Sequence, residues 1–114
     1  MNILYYTFLI SSILTFLINP GIPGRKYHIN DYKTLKTSKY SKCVICNIIV
    51  PKEFNLGHCS ECNICIIKYD HHCKWSGKCI GKGNFLFFYL FVVSGIGYFI
   101  IFQILIIIEL FIEK

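Results

Sequence analysis

The sequence predicts an α-helical integral membrane protein, with two transmembrane helices flanking a small zinc-stabilised cysteine-rich domain with little regular structure. Three observations carry that expectation. Residues 2–18 and 85–108 contain no charged side chain. Nearly all the charge of the 114-residue chain, and all eleven of its Cys plus His, lie between them. The cysteines fall in Cys-x2-Cys spacings with histidines interleaved. A soluble domain usually carries about 25% charged residues, whereas this chain has 16% charged and 54% hydrophobic residues. That composition excludes an ordinary soluble globule, and its apolar content excludes a disordered chain.

Residues 2–18 are at the short end of the roughly 17 to 25 residues that span a bilayer. A cleaved signal peptide would need a basic start and a small-residue cleavage site. No Lys or Arg precedes Arg25, and Asn19-Pro20-Gly21-Ile22-Pro23 reads as a helix stop. Residues 85–108 form a longer uncharged run, in which Ser94, Gly95 and Gly97 would allow close helix approach. Residues 24–84 carry a net charge of +7, with Arg25 and Lys26 after the first run and Lys74, Lys78 and Lys82 before the second. Basic flanks favour the cytosolic side, so this middle domain is expected to face the cytosol and to meet anionic membrane lipid there. Flanking spans argue against nucleic acid as the partner of that charge. The sequence reads as free of internal repeats.

All seven cysteines lie between residues 43 and 79. An odd count, interleaved histidines and a cytosolic setting oppose a disulfide framework. Cys-x2-Cys pairs with added His have the spacing of structural zinc sites. Seven Cys with His58, His71 and His72 make ten candidate ligands, and two closed tetrahedral sites use eight. Spacing alone leaves open which two remain. Asp70-His71-His72-Cys73 holds the parts of an activated nucleophile: a thiol, a base and a carboxylate to orient the base. Equally, Cys73 would serve as a spare ligand and Asp70 as a turn residue. His28 lies outside the cluster and reads as a solvated loop residue; Tyr27, Tyr32 and Tyr40 suit an interface.

The run Cys43-x2-Cys46, His58-Cys59-x2-Cys62-x2-Cys65, Asp70-His71-His72-Cys73, Cys79, Asn84-x3-Phe88 resembles the cysteine-rich domain of the DHHC protein S-acyltransferases (palmitoyltransferases). Asn19-Pro20-Gly21 resembles that family's Asp-Pro-Gly motif. The resemblance implies two structural zinc ions, one on Cys43, Cys46, His58 and Cys65, the other on Cys59, Cys62, His72 and Cys79. It leaves Cys73 to carry an acyl group, His71 as base and Asp70 to orient it. The implied co-substrate is a long-chain acyl-CoA such as palmitoyl-CoA, and the acceptors are cysteine thiols of membrane-associated proteins. It implies a multi-pass protein of an endomembrane (ER or Golgi) or the plasma membrane. Lys74, Lys78 and Lys82 would be placed to meet CoA phosphates, and Trp75 to contact the acyl chain. Three departures stand out: a longer Cys46–His58 loop, Asn55 for the usual Arg, and Lys74 for the usual Pro. The two spans resemble the family's second and third of four, so the chain is expected to be a truncated member. Two other readings are a membrane-anchored zinc-binding interaction module and a RING-like domain. The latter is opposed by Cys73-x5-Cys79, where a Cys-x2-Cys pair is required.

Overall fold

A computed structural model of the chain describes residues 2–28 and 37–113; Tyr32 lies outside that range. Its elements are α1 (Asn2–Leu17), β1 (Tyr40–Cys43), β2 (Ile48–Pro51), β3 (Leu56–Cys59), β4 (Ile64–Ile67), β5 (His71–Cys73), β6 (Lys78–Ile80) and α2 (Phe85–Ile112). They form two units: the helices from Met1–Leu17 and Leu86–Lys114, and the cysteine-rich segment Ile18–Phe85.

In the helical unit, α2 is the one helix among the described residues long and apolar enough to cross a membrane. Its 28 residues extend about 42 Å at the α-helical rise. The run expected over 85–108 therefore continues past Glu109. The 16 residues of α1 reach only about 24 Å, short of a hydrocarbon core of about 30 Å. Two transmembrane helices are thus not established by helix length. The helices meet through small and aromatic side chains. The Phe8 and Phe91 rings lie 5.1 Å apart, and a Cβ on Gly95 would stand 3.0 Å from the Phe8 ring. The hydroxyl of Thr15 donates to the Ser11 carbonyl at 2.7 Å, so that buried polar group is satisfied within its own helix.

The cysteine-rich unit is more regular than expected. Its six strands form three separate antiparallel hairpins, β1-β2, β3-β4 and β5-β6. Each closes around a four-residue turn between paired residues Cys43↔Ile48, Cys59↔Ile64 and Cys73↔Lys78. Each turn ends on a residue with left-handed backbone, Asn47 (φ 58°), Asn63 (φ 53°) and Gly77 (φ 61°), residue types that tolerate this region. The hairpins are one structural plan used three times. The likeness lies in backbone geometry and leaves only Cys and a turn residue in common, so it does not show as a repeat in the sequence. The buried clusters are small and built partly from cysteine: Ile48, Val50 and Cys65 in one, Cys59, Ile66 and Cys79 in the other.

Asn19-Pro20-Gly21 is stitched into this unit. The Asn19 side chain accepts from the amides of Gly21 (2.8 Å) and Ile22 (2.9 Å). The Gly21 carbonyl accepts from Ile67, and the Pro20 carbonyl from Gly83. Buried Asn84 accepts from the Gly81 amide and donates to the Cys79 carbonyl, both at 3.0 Å. A Cβ on Gly83 would collide with the Asn19 carbonyl, whereas one on Gly24 would meet nothing within 4 Å. Gly83→Ala is therefore expected to lower stability by about 1 to 3 kcal/mol through overpacking. Thermal unfolding of the metal-loaded chain measures this, with Gly24→Ala unchanged as the control; equal melting temperatures for both would contradict it.

Candidate metal centres and nucleophile

Cross-strand neighbours on a hairpin face the same side. The pairs His58↔Cys65 and His72↔Cys79 therefore each present one imidazole and one thiol together. The preceding turn supplies the other two ligands, Cys43 and Cys46 to the first pair and Cys59 and Cys62 to the second. In each set all four donor atoms lie within 4.8 Å of one another. His58 Nδ1 stands 3.6, 3.3 and 3.7 Å from the sulfurs of Cys43, Cys46 and Cys65. His72 Nδ1 stands 3.8, 3.3 and 3.5 Å from those of Cys59, Cys62 and Cys79. A zinc tetrahedron with metal–ligand distances near 2.0 to 2.3 Å has edges of about 3.5 to 3.8 Å. The donor sets match those dimensions, so both could hold zinc.

Charge distribution within the second set favours a cation. Burial raises the Cys79 thiol, and hydrogen bonds with Cys59 and Cys62 raise it further, to about 12. Burial also raises Cys59, but the Cys62 amide, the Tyr69 hydroxyl, Cys79 and the Glu61 amide together more than offset it and bring that thiol to about 6. One ionised thiol thus suppresses its neighbour, a conflict that a bound dication removes. His72 Nε2, turned away from the thiols, lies 3.6 Å from a Glu61 carboxylate oxygen, an outer partner that fixes ring orientation. Tyr69 and Glu61 carry no signal in the sequence that would have singled them out. His28 is an exposed residue bridged to Ile48, in neither set.

Of the seven cysteines, Cys73 alone lies outside both donor sets. It is buried at the end of β5, 5% exposed. His71, two residues earlier on the same face, has its Nδ1 2.7 Å from Asp70 Oδ2. The Asp70 hydrogen bond raises the His71 pKa, burial opposes it, and a hydrogen bond to Cys73 adds to it. Burial pushes the Cys73 thiol up, but the Ser76 hydroxyl and amide, His71 and the Trp75 amide together bring it down to about 7. The structure thus joins Asp70, His71 and Cys73 in one chain of contacts. Trp75 is 96% exposed. An open groove of about 580 Å³ beside Asp70 is lined by Asn55, Lys68, Tyr69, Lys82 and Phe85.

The family model of the DHHC palmitoyltransferase matches residues 36–114. The chain belongs to the DHHC palmitoyltransferase family. Palmitoyltransferase SWF1 of Saccharomyces cerevisiae is 43% identical over 76 residues, covering 58% of this chain and 22% of that protein. Human palmitoyltransferase ZDHHC14 is 44% identical over 59 residues, 52% of this chain and 12% of the relative. Palmitoyltransferase ERF2 of Kluyveromyces lactis is 37% identical over an alignment of 117 positions, 81% of this chain and 32% of the relative. The chain spans no more than about a third of the length of these curated relatives.

Two outcomes follow from the geometry. Cys62→Ser is expected to lose the zinc of its donor set and Cys73→Ser to retain both ions, read by metal analysis of the purified chain; equal zinc loss in the two would contradict the division. Because its pKa is depressed from 9.0, Cys73 is thiolate above about pH 7 and is protonated as pH falls through that value. Iodoacetamide labelling of Cys73, followed by mass spectrometry, should be half-maximal near pH 7; a midpoint near 9 would contradict the contacts described.

Proposed function

We propose that the chain forms part of a protein-cysteine S-palmitoyltransferase, which moves a long-chain acyl group from acyl-CoA to cysteines of membrane-associated proteins. The observation that carries this reading is Cys73, excluded from both donor sets and linked through His71 to Asp70. In the first step the Cys73 thiolate attacks the thioester carbonyl carbon. The C–S bond to CoA breaks, and the departing CoA sulfur takes a proton from His71. In the second step an acceptor cysteine gives its thiol proton to His71 and attacks the Cys73 thioester, and Cys73 leaves as thiolate. This is covalent, ping-pong catalysis. Asp70, bonded to Nδ1 of His71, would orient the ring and stabilise the imidazolium that stands beside the Cys73 thiolate before the first step and after the second.

Cys43, Cys46, His58 and Cys65 would hold one structural zinc, and Cys59, Cys62, His72 and Cys79 the other. Zinc at these closed sites supplies folding energy and takes no part in the transfer. In this reading residues 2–18 and 85–108 span or enter the membrane around a cytosolic domain of residues 24–84, in an endomembrane or the plasma membrane. Lys68 and Lys82 in the groove beside Asp70 would meet CoA phosphates.

The test is incubation of the purified chain with palmitoyl-CoA. An acyl group removed by neutral hydroxylamine should appear on wild type and be absent from Cys73→Ser. His71→Ala should slow its formation by roughly 10²- to 10⁴-fold, the range of general acid–base contributions. A chain that holds two zinc ions and never acquires the group would favour the other reading, a membrane-anchored zinc-binding module.

A further inference from the structure

The three turns match in length and register, so the residues at their tips are directly comparable. After the opening cysteine stand Val44 and Ile45 in the first turn, Ser60 and Glu61 in the second, and Lys74 and Trp75 in the third. All six are exposed. The sulfurs of Cys43 and Cys46 both turn inward to His58 Nδ1, at 3.6 and 3.3 Å, which leaves the two residues between them on the outside of a tight turn. There the second hairpin carries two polar side chains, whereas the first carries two aliphatic ones, 74% and 70% exposed. A tip held in this way cannot fold back to bury them, so only a surface outside the unit can take them from water. The surrounding charge says which surface. Residues 32–52 hold Lys33, Lys36, Lys39, Lys42 and Lys52 and no acidic side chain. Exposed Lys39, Tyr40 and Lys42 lead into the tip. An aliphatic end with a basic flank and a Tyr beside it suits a membrane interface, where the cations meet anionic headgroups. The same chain carries α2, long and apolar enough to cross a membrane.

We propose that the β1–β2 tip is a membrane-contact site: Val44 and Ile45 enter the interface of a bilayer containing anionic lipid, and Lys39 and Lys42 rest on its phosphate-bearing headgroups. The other two tips do not offer this contact in the same form, since Ser60 and Glu61 are polar and Lys74 sets a charge beside Trp75. The inference rests on the reading of α2 as a membrane span and not on the acyl-transfer reaction.

The experiment uses the purified full chain in vesicles of phosphatidylcholine and phosphatidylserine. The sequence holds one tryptophan, so Trp75→Phe gives a dark background for single fluorescent reporters. These are Val44→Trp, Ile45→Trp, Ser60→Trp at the second tip and Phe99→Trp within α2. Lipid brominated along its acyl chains should quench Val44→Trp and Ile45→Trp roughly twofold or more, as expected for side chains about 5 to 10 Å into the interface. Aqueous acrylamide should quench these two weakly. Ser60→Trp should respond to acrylamide and not to the brominated lipid. If Val44→Trp and Ile45→Trp both behave as Ser60→Trp does, the inference is overturned, and a protein partner becomes the occupant of the tip. Replacing phosphatidylserine with phosphatidylcholine should weaken the lipid quenching at both tip positions and leave that of Phe99→Trp unchanged; equal quenching at the tip without phosphatidylserine overturns the part given to the lysines. Phe99→Trp reports the span separately. If it alone escapes the brominated lipid, the reading of α2 falls and the membrane contact of the tip stands.

Discussion

The hairpin β3–β4 belongs to two metal sites at once, and the rest of the cysteine-rich unit depends on that sharing. Its cross-strand pair His58–Cys65 completes the donor set begun by Cys43 and Cys46, while its turn, Cys59 and Cys62, begins the set that His72 and Cys79 complete. Neither set can close on a single hairpin. Each ion would therefore tie one hairpin to the next, where the described residues form three separate two-stranded sheets and only small apolar clusters. The fully buried side chains are few, and Cys59, Cys65 and Cys79 are among them. Apolar burial by Ile48, Val50, Ile66 and Ile80 would leave so small a unit marginal, whereas structural zinc supplies on the order of 10 kcal/mol per site.

Such an array has ends, and Cys73, outside both donor sets, lies at one of them. The first hairpin has no His–Cys pair at the place of His58–Cys65; Lys42 and Ile49 stand there. The third hairpin has the pair and an opening cysteine, but Ser76 where a second ligand belongs. Burial raises the Cys73 pKa, and hydrogen bonds from the Ser76 hydroxyl and amide, His71 and the Trp75 amide lower it by more. Asn84 anchors the same end by bonding the Cys79 carbonyl and the Gly81 amide immediately before α2 begins at Phe85. In the chain, α2 begins five residues after β6 ends at Ile80.

Much of this was legible in the residues. Ten candidate ligands against eight places showed that two groups would be left over, and the fixed spacings of the family pattern named the eight that the structure brings into two sets. Uncharged runs located both helices, because absence of charge over a helix length is a local property. The hairpins were harder to see. Strands of three or four residues carry too few positions for a period-2 pattern, and here the half-buried face is occupied by Cys and His. The repeat was hidden for the same reason: only an opening Cys and a left-handed Asn or Gly are common to all three turns. Tyr69 and Glu61 reach Cys59 and His72 through folded geometry that no spacing encodes. Helix length also escaped the residue pattern, since Pro20 and the Asn19 turn end α1 at Leu17, short of a full span.

X-ray absorption at the zinc edge on the purified chain tests the shared-hairpin architecture most directly. The account predicts an average first shell of three sulfurs at about 2.3 Å and one nitrogen at about 2.0 Å, the same for both ions because each donor set is three Cys and one His. A shell dominated by oxygen and nitrogen, or one averaging four sulfurs, would contradict it.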